Sequence, residues 1–355
     1  MKTLLLPLKL LIFNISRRLN KIFILPVNYT YSFTSKCDSK CKTCNIWKQK
    51  SSNDLTKEEW KKIIKNIGNA PFWITITGGN QFLRKDISEI IKYILQYNRP
   101  KIINFPVSGT LPKLVVEQIK KILVEVKGKR VKLILNISID GINELHDNIR
   151  GVKGAFKKTI KTFRDLKKLQ KKYPNLIIGT YTVISKYNAE HIDEIRDFII
   201  NNLKPDHCSI EIAEKSKELV NIKENFVLNQ DISLKVLDKY TEYANDSKKL
   251  SLKLKNFLRK RYYFVVKETL LKNRELIPCF AGIASIQISP SGKIWQCCVK
   301  ADTLGNLRKE NYDFKKIFFG KKAGEIRKKI KREHCFCTHS NPYYTNILSS
   351  LRLKG

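Results

Sequence analysis

The sequence predicts an α/β fold of parallel strands followed by a small cysteine-rich unit, on three observations. From residue 27 onward, short β-rich runs alternate six times with amphipathic helical stretches. Consecutive β-then-α units imply parallel strands joined by right-handed crossovers, with chemistry gathered at the C-terminal ends of the strands. Eight of the nine cysteines fall into two groups: Cys37, Cys41 and Cys44 near the front, and Cys279, Cys297, Cys298, Cys335 and Cys337 near the end.

Residues 1–26 are apolar and basic. Pro7 and Lys9 break the first apolar run, and Arg17 and Arg18 end the second. Neither run reaches the roughly 20 residues that a spanning helix requires, and no small-residue cleavage site follows. Two placements stay open: a helix in a membrane interface with Arg17, Arg18 and Lys21 toward lipid phosphates, or a helix packed on the domain. Residues 27–34 (VNYTYSFT) predict a strand that runs into the first cysteine loop. Asn53 or Asp54 is a candidate cap for a helix ending near Ile67, and Thr56 with Glu59 has the capping-box pattern. Residues 72–77 (FWITIT) predict the second strand, closed by Gly78 and Gly79, and a helix follows from Asp86 to about Tyr97. Strand and helix then recur at 101–107 and 114–126, 131–140 and 155–171, and 175–184 and 190–201, with a sixth strand at 207–212. The predicted division is an N-terminal segment 1–26, a barrel 27–215, a charged helical connector 216–275 and a cysteine-rich domain 276–355.

A 42% apolar content supports a real core and excludes disorder for most of the chain. The net charge of +37 suits a phosphate-bearing partner, either nucleic acid or an anionic membrane face. The lysines are spread along helix faces rather than clustered, as ordinary lysine-rich composition would have them, so nucleic acid is not the expected partner. Close cysteine spacings in a chain this long read as metal ligands in a cytoplasmic protein rather than as a disulfide framework. Cys208, in an apolar run, reads as a core residue.

Cys37, Cys41 and Cys44 are spaced C-x3-C-x2-C directly after the first strand. One loop of this kind can wrap three corners of a cubane iron–sulfur cluster and leave one iron open. A structural zinc site would want a fourth ligand nearby, and the nearest histidine is His146. The stretch TSKCDSKCKTCNIWK resembles the signature of the radical S-adenosylmethionine (SAM) enzymes. The resemblance covers roughly residues 30–215 and implies a partial (β/α)6 TIM-like barrel. It implies a 4Fe–4S cluster on Cys37, Cys41 and Cys44 whose open iron is chelated by the amino and carboxylate groups of SAM. It also implies reductive cleavage of SAM by an electron from a donor such as flavodoxin or ferredoxin, giving a 5′-deoxyadenosyl radical that takes a substrate hydrogen atom.

The family usually carries Gly-Gly-Glu where this chain has Gly78, Gly79 and Asn80, and the family's acid contacts the SAM amino group. Asn80 keeps an acceptor without the charge. Ser138-Ile139-Asp140-Gly141, with His146, Asp147 and Arg150, is similar to the SIDG…HD…R stretch of the SPASM-type subfamily. That similarity places Ser138 and Asp140 near the SAM carboxylate or ribose, with Arg150 a further candidate. His146 reads equally as a structural hydrogen-bonder. Val183 and Ile184 correspond to the apolar strand end on which the family packs adenine, and Asn188 would cap the next helix or touch the ligand.

Cys279 to Cys297 reads C-x12-G-x4-C, with Gly292 in a turn between two β-like runs. With Cys335 and Cys337 this resembles the auxiliary-cluster half of a SPASM or twitch domain. A full SPASM domain carries cysteines for two clusters; five here predict one auxiliary 4Fe–4S cluster on Cys279, Cys297, Cys335 and Cys337. Cys298 could replace Cys297, His334 or His339 could enter the ligand set, and zinc is the alternative metal. The expected function is a radical SAM enzyme acting on a peptide, a sugar or another small or lipid-linked molecule. The alternative is a non-catalytic basic iron–sulfur protein on nucleic acid or a membrane surface. Localisation is expected to be cytoplasmic, with peripheral contact at the inner membrane face through residues 1–26.

Overall fold

Alternation along the first strand decides which side of the sheet becomes core. The chain is described here from a computed structural model that covers residues 5–51, 53–243 and 253–350. A leading helix α1 (Leu6–Leu19) precedes β1 (Asn28–Thr34). Tyr29, Tyr31 and Phe33 of β1 are fully buried, and the last two pack on Trp60 of α2 (Lys57–Ile67), with ring centroids 5.3 and 4.9 Å away. Thr30 and Ser32, on the other face of β1, look into the polar barrel interior. Thr56 and Glu59 form the predicted capping box, so Thr56 is the cap of α2. Asp54 instead accepts hydrogen bonds from Thr34 Oγ1 and the Ser35 N–H at the mouth of the cysteine loop.

The pattern repeats through β2 (Trp73–Gly78), α3 (Ile87–Tyr93), β3 (Ile102–Val107), α4 (Pro112–Val126) and β4 (Lys132–Ser138). It continues through α5 (Glu144–Arg150), α6 (Ala155–Gln170), β5 (Leu176–Ile184), α7 (Ile192–Phe198) and β6 (His207–Ile212). All five pairings from β1 to β6 are parallel and follow chain order, giving a partial (β/α)6 barrel. Helix α5 follows the Asp140–Gly141 turn, where the sequence reads as a helix start without giving the helix an extent. Its seven residues are too short for a periodic signal.

After β6 the chain departs from the expected helical connector. Residues 213–229 are irregular, and α8 (Gln230–Tyr243) and α9 (Lys253–Lys272) follow. The cysteine-rich region is built on β7 (Ser285–Ile288), β8 (Lys293–Trp295) and β9 (Thr303–Asn306), then α10 (Phe314–Phe319), α11 (Lys321–Arg332) and α12 (Ser340–Ser350). The hairpin predicted around Gly292 joins β7 to β8, and Gly292 has the positive φ of 82° that such a turn asks of glycine. β7 pairs in parallel with β1, so the described strands form one sheet in the order β6-β5-β4-β3-β2-β1-β7-β8-β9.

Helix α1 divides its faces. Leu10 and Phe13 pack with Val27, Phe280, Ile283 and Ala284, and Asn14 Nδ2 donates to the Ser349 carbonyl. Leu5, Leu8, Leu11, Ile15 and Leu19 stay exposed as a stripe along the opposite face. Among the described residues no helix is long and apolar enough to cross a membrane.

Glu59 ties the barrel to the C-terminal region. It caps α2, takes two hydrogen bonds from Arg308 and accepts another from Tyr312 at 2.8 Å. Arg308, ahead of the desolvation that opposes it, holds the Glu59 carboxyl down at about 2 from an ordinary 4.5. A depressed carboxylate stabilises the fold above its unfolded value, and that stabilisation is lost as pH falls through the folded one. Glu59→Gln is expected to cost about 1–3 kcal/mol near neutral pH. Thermal unfolding of both proteins at pH 7 and about pH 3.5 checks this. The difference between them should narrow at the lower pH, and a constant difference would refute the linkage.

Candidate cluster and cofactor site

The loop carrying Cys37, Cys41 and Cys44 has little regular structure, so its backbone groups need partners from outside. The strand end at Gly78–Asn80 supplies one side. Gly79 N–H donates to the Thr34 carbonyl and Asn80 N–H to the Lys36 carbonyl, each at 2.7 Å. A Cβ on Gly79 would stand 2.1 Å from the Lys36 carbonyl oxygen, and one on Gly78 2.3 Å from that of Thr34. Gly78 also has a φ of 125°. These glycines thus admit the cysteine loop itself rather than an open ligand surface.

The second side is the end of α5. Lys40 N–H donates to the Arg150 carbonyl at 3.0 Å and Lys42 N–H to that of Ile149 at 2.9 Å. Gly151 closes the helix with a φ of 62°, where any Cβ would meet the Lys40 carbonyl oxygen at 2.4 Å. The third side is the irregular segment after β6. Asn221 Nδ2 donates to the Thr43 carbonyl at 2.7 Å, and Asn45 N–H donates to that of Leu219 at 2.8 Å.

Arg150 reaches the thiol of Cys41. Its guanidinium lies 2.7 Å from Asp140 Oδ2 and 3.8 Å from Cys41 Sγ. Burial works against its charge, but Asp140 and Cys41 together raise its pKa. Asp140 accepts the Val183 N–H on its other oxygen at 2.9 Å, so both carboxylate oxygens are engaged by the protein. His146 is fully buried, and its Nδ1 accepts the Asp140 N–H at 3.1 Å. Burial and then Arg150 push His146 down to about 3, which keeps it neutral and structural. Asp147 accepts the N–H groups of Gly154 and Phe156 at the start of α6. The stretch from Asp140 to Arg150 is a bracket that aims one guanidinium at the cysteine loop.

Ser138 ends β4 half-buried on the face opposite Leu133, Leu135 and Ile137, which sit in the core. Ile184 is fully buried with Ile192, Ile210 and Ile212, so alternation along β5 gives the barrel side to Val183. Asn188 is engaged by the backbone: its Nδ2 donates to the Asp140 and Val183 carbonyls and its Oδ1 accepts the Ser185 N–H. Asn80 is buried as well, with its Oδ1 on the Phe82 N–H and its Nδ2 on Asp38 Oδ1 at 2.7 Å.

Burial pushes the thiol of Cys37 up to about 11 and that of Cys44 to about 12, and it raises Cys41 against the pull of Arg150. Thiols raised in this way stay protonated until a metal displaces the proton. Ser39 Oγ and Arg150 Nε, both at this loop, are buried without a hydrogen-bond partner among the described residues. Three sulfur donors, a fixed arginine and orphaned polar groups fit an iron–sulfur cluster. Among the described residues no three His, Cys, Asp or Glu side chains converge on a single metal ion.

In the C-terminal region Cys279, Cys297, Cys335 and Cys337 line one cavity with Ile277, Val299, Phe336 and Tyr343. Burial pushes Cys279 up to about 12 and raises the other three. Cys298 is not part of that lining and hydrogen-bonds His339. The two histidines are held by carboxylates: His334 by Glu275 at 3.1 Å and His339 by Glu211 at 2.8 Å. Of the ligand sets left open by the sequence, the four-thiol set with Cys297 is the one gathered here.

Two features carry no sequence signal. Ser216 Oγ and Glu218 N–H donate to the Cys298 carbonyl, and Lys217 N–H donates to that of Val299. The segment bearing Leu219 and Asn221 therefore links the two cysteine groups directly. Inside the barrel His207 Nε2 lies 2.7 Å from Asn136 Oδ1, Asn136 donates to Asn104, and Tyr181 donates to Glu211 at 2.6 Å. Period-two strands announce which residues face inward, but not that these would join.

Comparison with known proteins agrees with this geometry. The radical SAM superfamily model matches residues 31–199, and an iron–sulfur cluster-binding domain, SPASM, matches residues 279–339. The subtilosin biosynthesis protein AlbA of Bacillus subtilis is 26% identical over 82% of this chain and 59% of its own length. Fe-coproporphyrin III synthase of Methanosarcina barkeri is 28% identical over 54% of this chain and 46% of its own. The chain thus spans about half the length of these curated relatives. Streptococcus suis SuiB bound to S-adenosylmethionine superposes with a TM-score of 0.61 at 17% identity, over 88% of this chain and 70% of that one. The anSMEcpe protein with bound AdoMet and a peptide gives 0.59 at 18% identity, over 86% and 84%. Residues 31–199 thus form a radical SAM domain and residues 279–339 a SPASM domain, and these two domains imply 4Fe–4S clusters and SAM as cofactors.

Proposed function

We propose that this protein cleaves SAM reductively and removes a hydrogen atom from a peptide substrate, with one auxiliary 4Fe–4S cluster behind the reaction. The observation that carries the reading is the loop of three half-buried cysteines clamped at the strand ends with Arg150 against Cys41. In this reading Cys37, Cys41 and Cys44 hold the first cluster, and Cys279, Cys297, Cys335 and Cys337 the second. Together the first cluster and SAM supply one-electron cleavage and hydrogen abstraction; the electron comes from a flavodoxin- or ferredoxin-type donor.

The protein's own groups position the partners. Ser138 and Val183 would face SAM from the ends of β4 and β5. Gly78, Gly79, Asp140 and Arg150 would act on it through the loop they hold, while Ile184 supports Val183 from the core. Substrate in the barrel would meet the Asn104–Asn136–His207 chain and the Tyr181–Glu211 pair, groups suited to amide hydrogen bonding. A peptide is favoured over a sugar or lipid-linked substrate by the likeness to a bacteriocin biosynthesis protein and to solved structures with peptides bound. The exposed stripe of α1 and the +37 charge support peripheral contact with an anionic membrane face, which would keep the protein on the cytoplasmic side.

Anaerobically reconstituted protein should hold about eight irons and release 5′-deoxyadenosine when given dithionite and SAM. Cys37→Ala, Cys41→Ala and Cys44→Ala together should abolish that release; cleavage that survives them would sink the reading. Cys335→Ala with Cys337→Ala should lower iron by about half, and unchanged iron would remove the auxiliary cluster from the proposal. For the membrane contact, co-sedimentation with phosphatidylglycerol-rich vesicles should exceed that with phosphatidylcholine alone. Leu8→Asp with Leu11→Asp should reduce it severalfold, and equal binding by that variant would refute the contact.

A further inference from the structure

Asn80 stands where a carboxylate would be expected to meet the amino group of SAM, and its amide carries no charge. Its Oδ1 takes the Phe82 N–H and its Nδ2 donates to Asp38. A neutral amide leaves the amino end of the cofactor without an anionic acceptor. Asp38 lies between Cys37 and Cys41, with Oδ1 2.7 Å from Asn80 Nδ2 and Oδ2 2.5 Å from Thr110 Oγ1. Both partners are neutral, and among the described residues no lysine, arginine or histidine forms an ion pair with it. A carboxylate offers about four lone-pair sites, of which these two bonds use half.

The other acids around the cysteine loop are committed. Asp140 pairs with Arg150 at 2.7 Å, Asp54 accepts from Thr34 and Ser35, and Glu218 is enclosed by Ser32 and Gln287. Asp38 is half-buried and close enough to the thiols to act electrostatically on both Cys37 and Cys41. We infer that Asp38 supplies the acceptor for the SAM amino group, with Asn80 and Thr110 aiming its carboxylate, so that the negative charge has moved from the end of β2 into the cysteine loop. An amine bound to a metal keeps N–H donors, and a carboxylate is a stronger acceptor for them than an amide oxygen.

This assignment rests on the proposed SAM site, and the test separates the two. Binding of SAM and of its analogue lacking the amino group is measured calorimetrically on anaerobically reconstituted protein, each value normalised to iron content. Asp38→Asn should weaken SAM about tenfold or more and leave the analogue unchanged. Restoring the acid at the strand end, as D38N with N80E, should recover most of the SAM affinity. The ratio of the two affinities does not depend on how much protein carries a cluster, so partial loading leaves the result readable. SAM binding by Asp38→Asn at the wild-type level, or an equal loss for both ligands, would overturn the assignment while leaving the SAM site in place. Wild-type protein that binds neither ligand would remove the site and the assignment together.

Discussion

Everything proposed for this protein depends on holding one irregular loop still. Residues 37–44 cannot satisfy their own backbone, and a loop free to move could not present three sulfurs to one cluster. The fold answers with main-chain contacts from three directions: the glycines after β2, the end of α5 and the segment after β6. Main-chain contact requires close approach, which is why Gly78, Gly79 and Gly151 tolerate no Cβ. The glycines of the strand end thus serve the cluster at one remove, by shaping the loop that would bind it.

Arg150 is the electrostatic counterpart of that clamp. A buried guanidinium is costly alone, and Asp140 offsets the cost at 2.7 Å. The pair leaves one edge of the guanidinium toward Cys41. A positive charge at this point favours thiolate over thiol, which opposes the rise that burial imposes on Cys41. The neutral His146 fixes the backbone of Asp140, and Asp147 fixes the start of α6, so the whole stretch from residue 138 to 156 works as one support.

The two cysteine groups are joined more tightly than two independent domains would be. β7 extends the barrel sheet past β1, Glu59 reaches Arg308 across the boundary, and residues 216–221 touch Thr43 on one side and Cys298 and Val299 on the other. The polar groups inside the barrel form two hydrogen-bonded sets, Asn104–Asn136–His207 and Tyr181–Glu211.

The sequence by itself determined the six β/α units, the capping box at Thr56, the hairpin at Gly292 and the two cysteine groups. Each is a local pattern, and periodicity, capping and turn chemistry act over a few residues. Only the tertiary structure decided that Cys297 rather than Cys298 lines the auxiliary cavity, that Val183 rather than Ile184 faces the barrel, and that Asn188 serves the backbone. It alone turned residues 216–229 from an expected helical connector into a bridge, and it alone brought Asp38 to Asn80 across 42 positions of sequence. These outcomes depend on which groups meet after folding. Hydrogen bonds and charge pairs between distant residues leave no periodic trace in the chain that makes them.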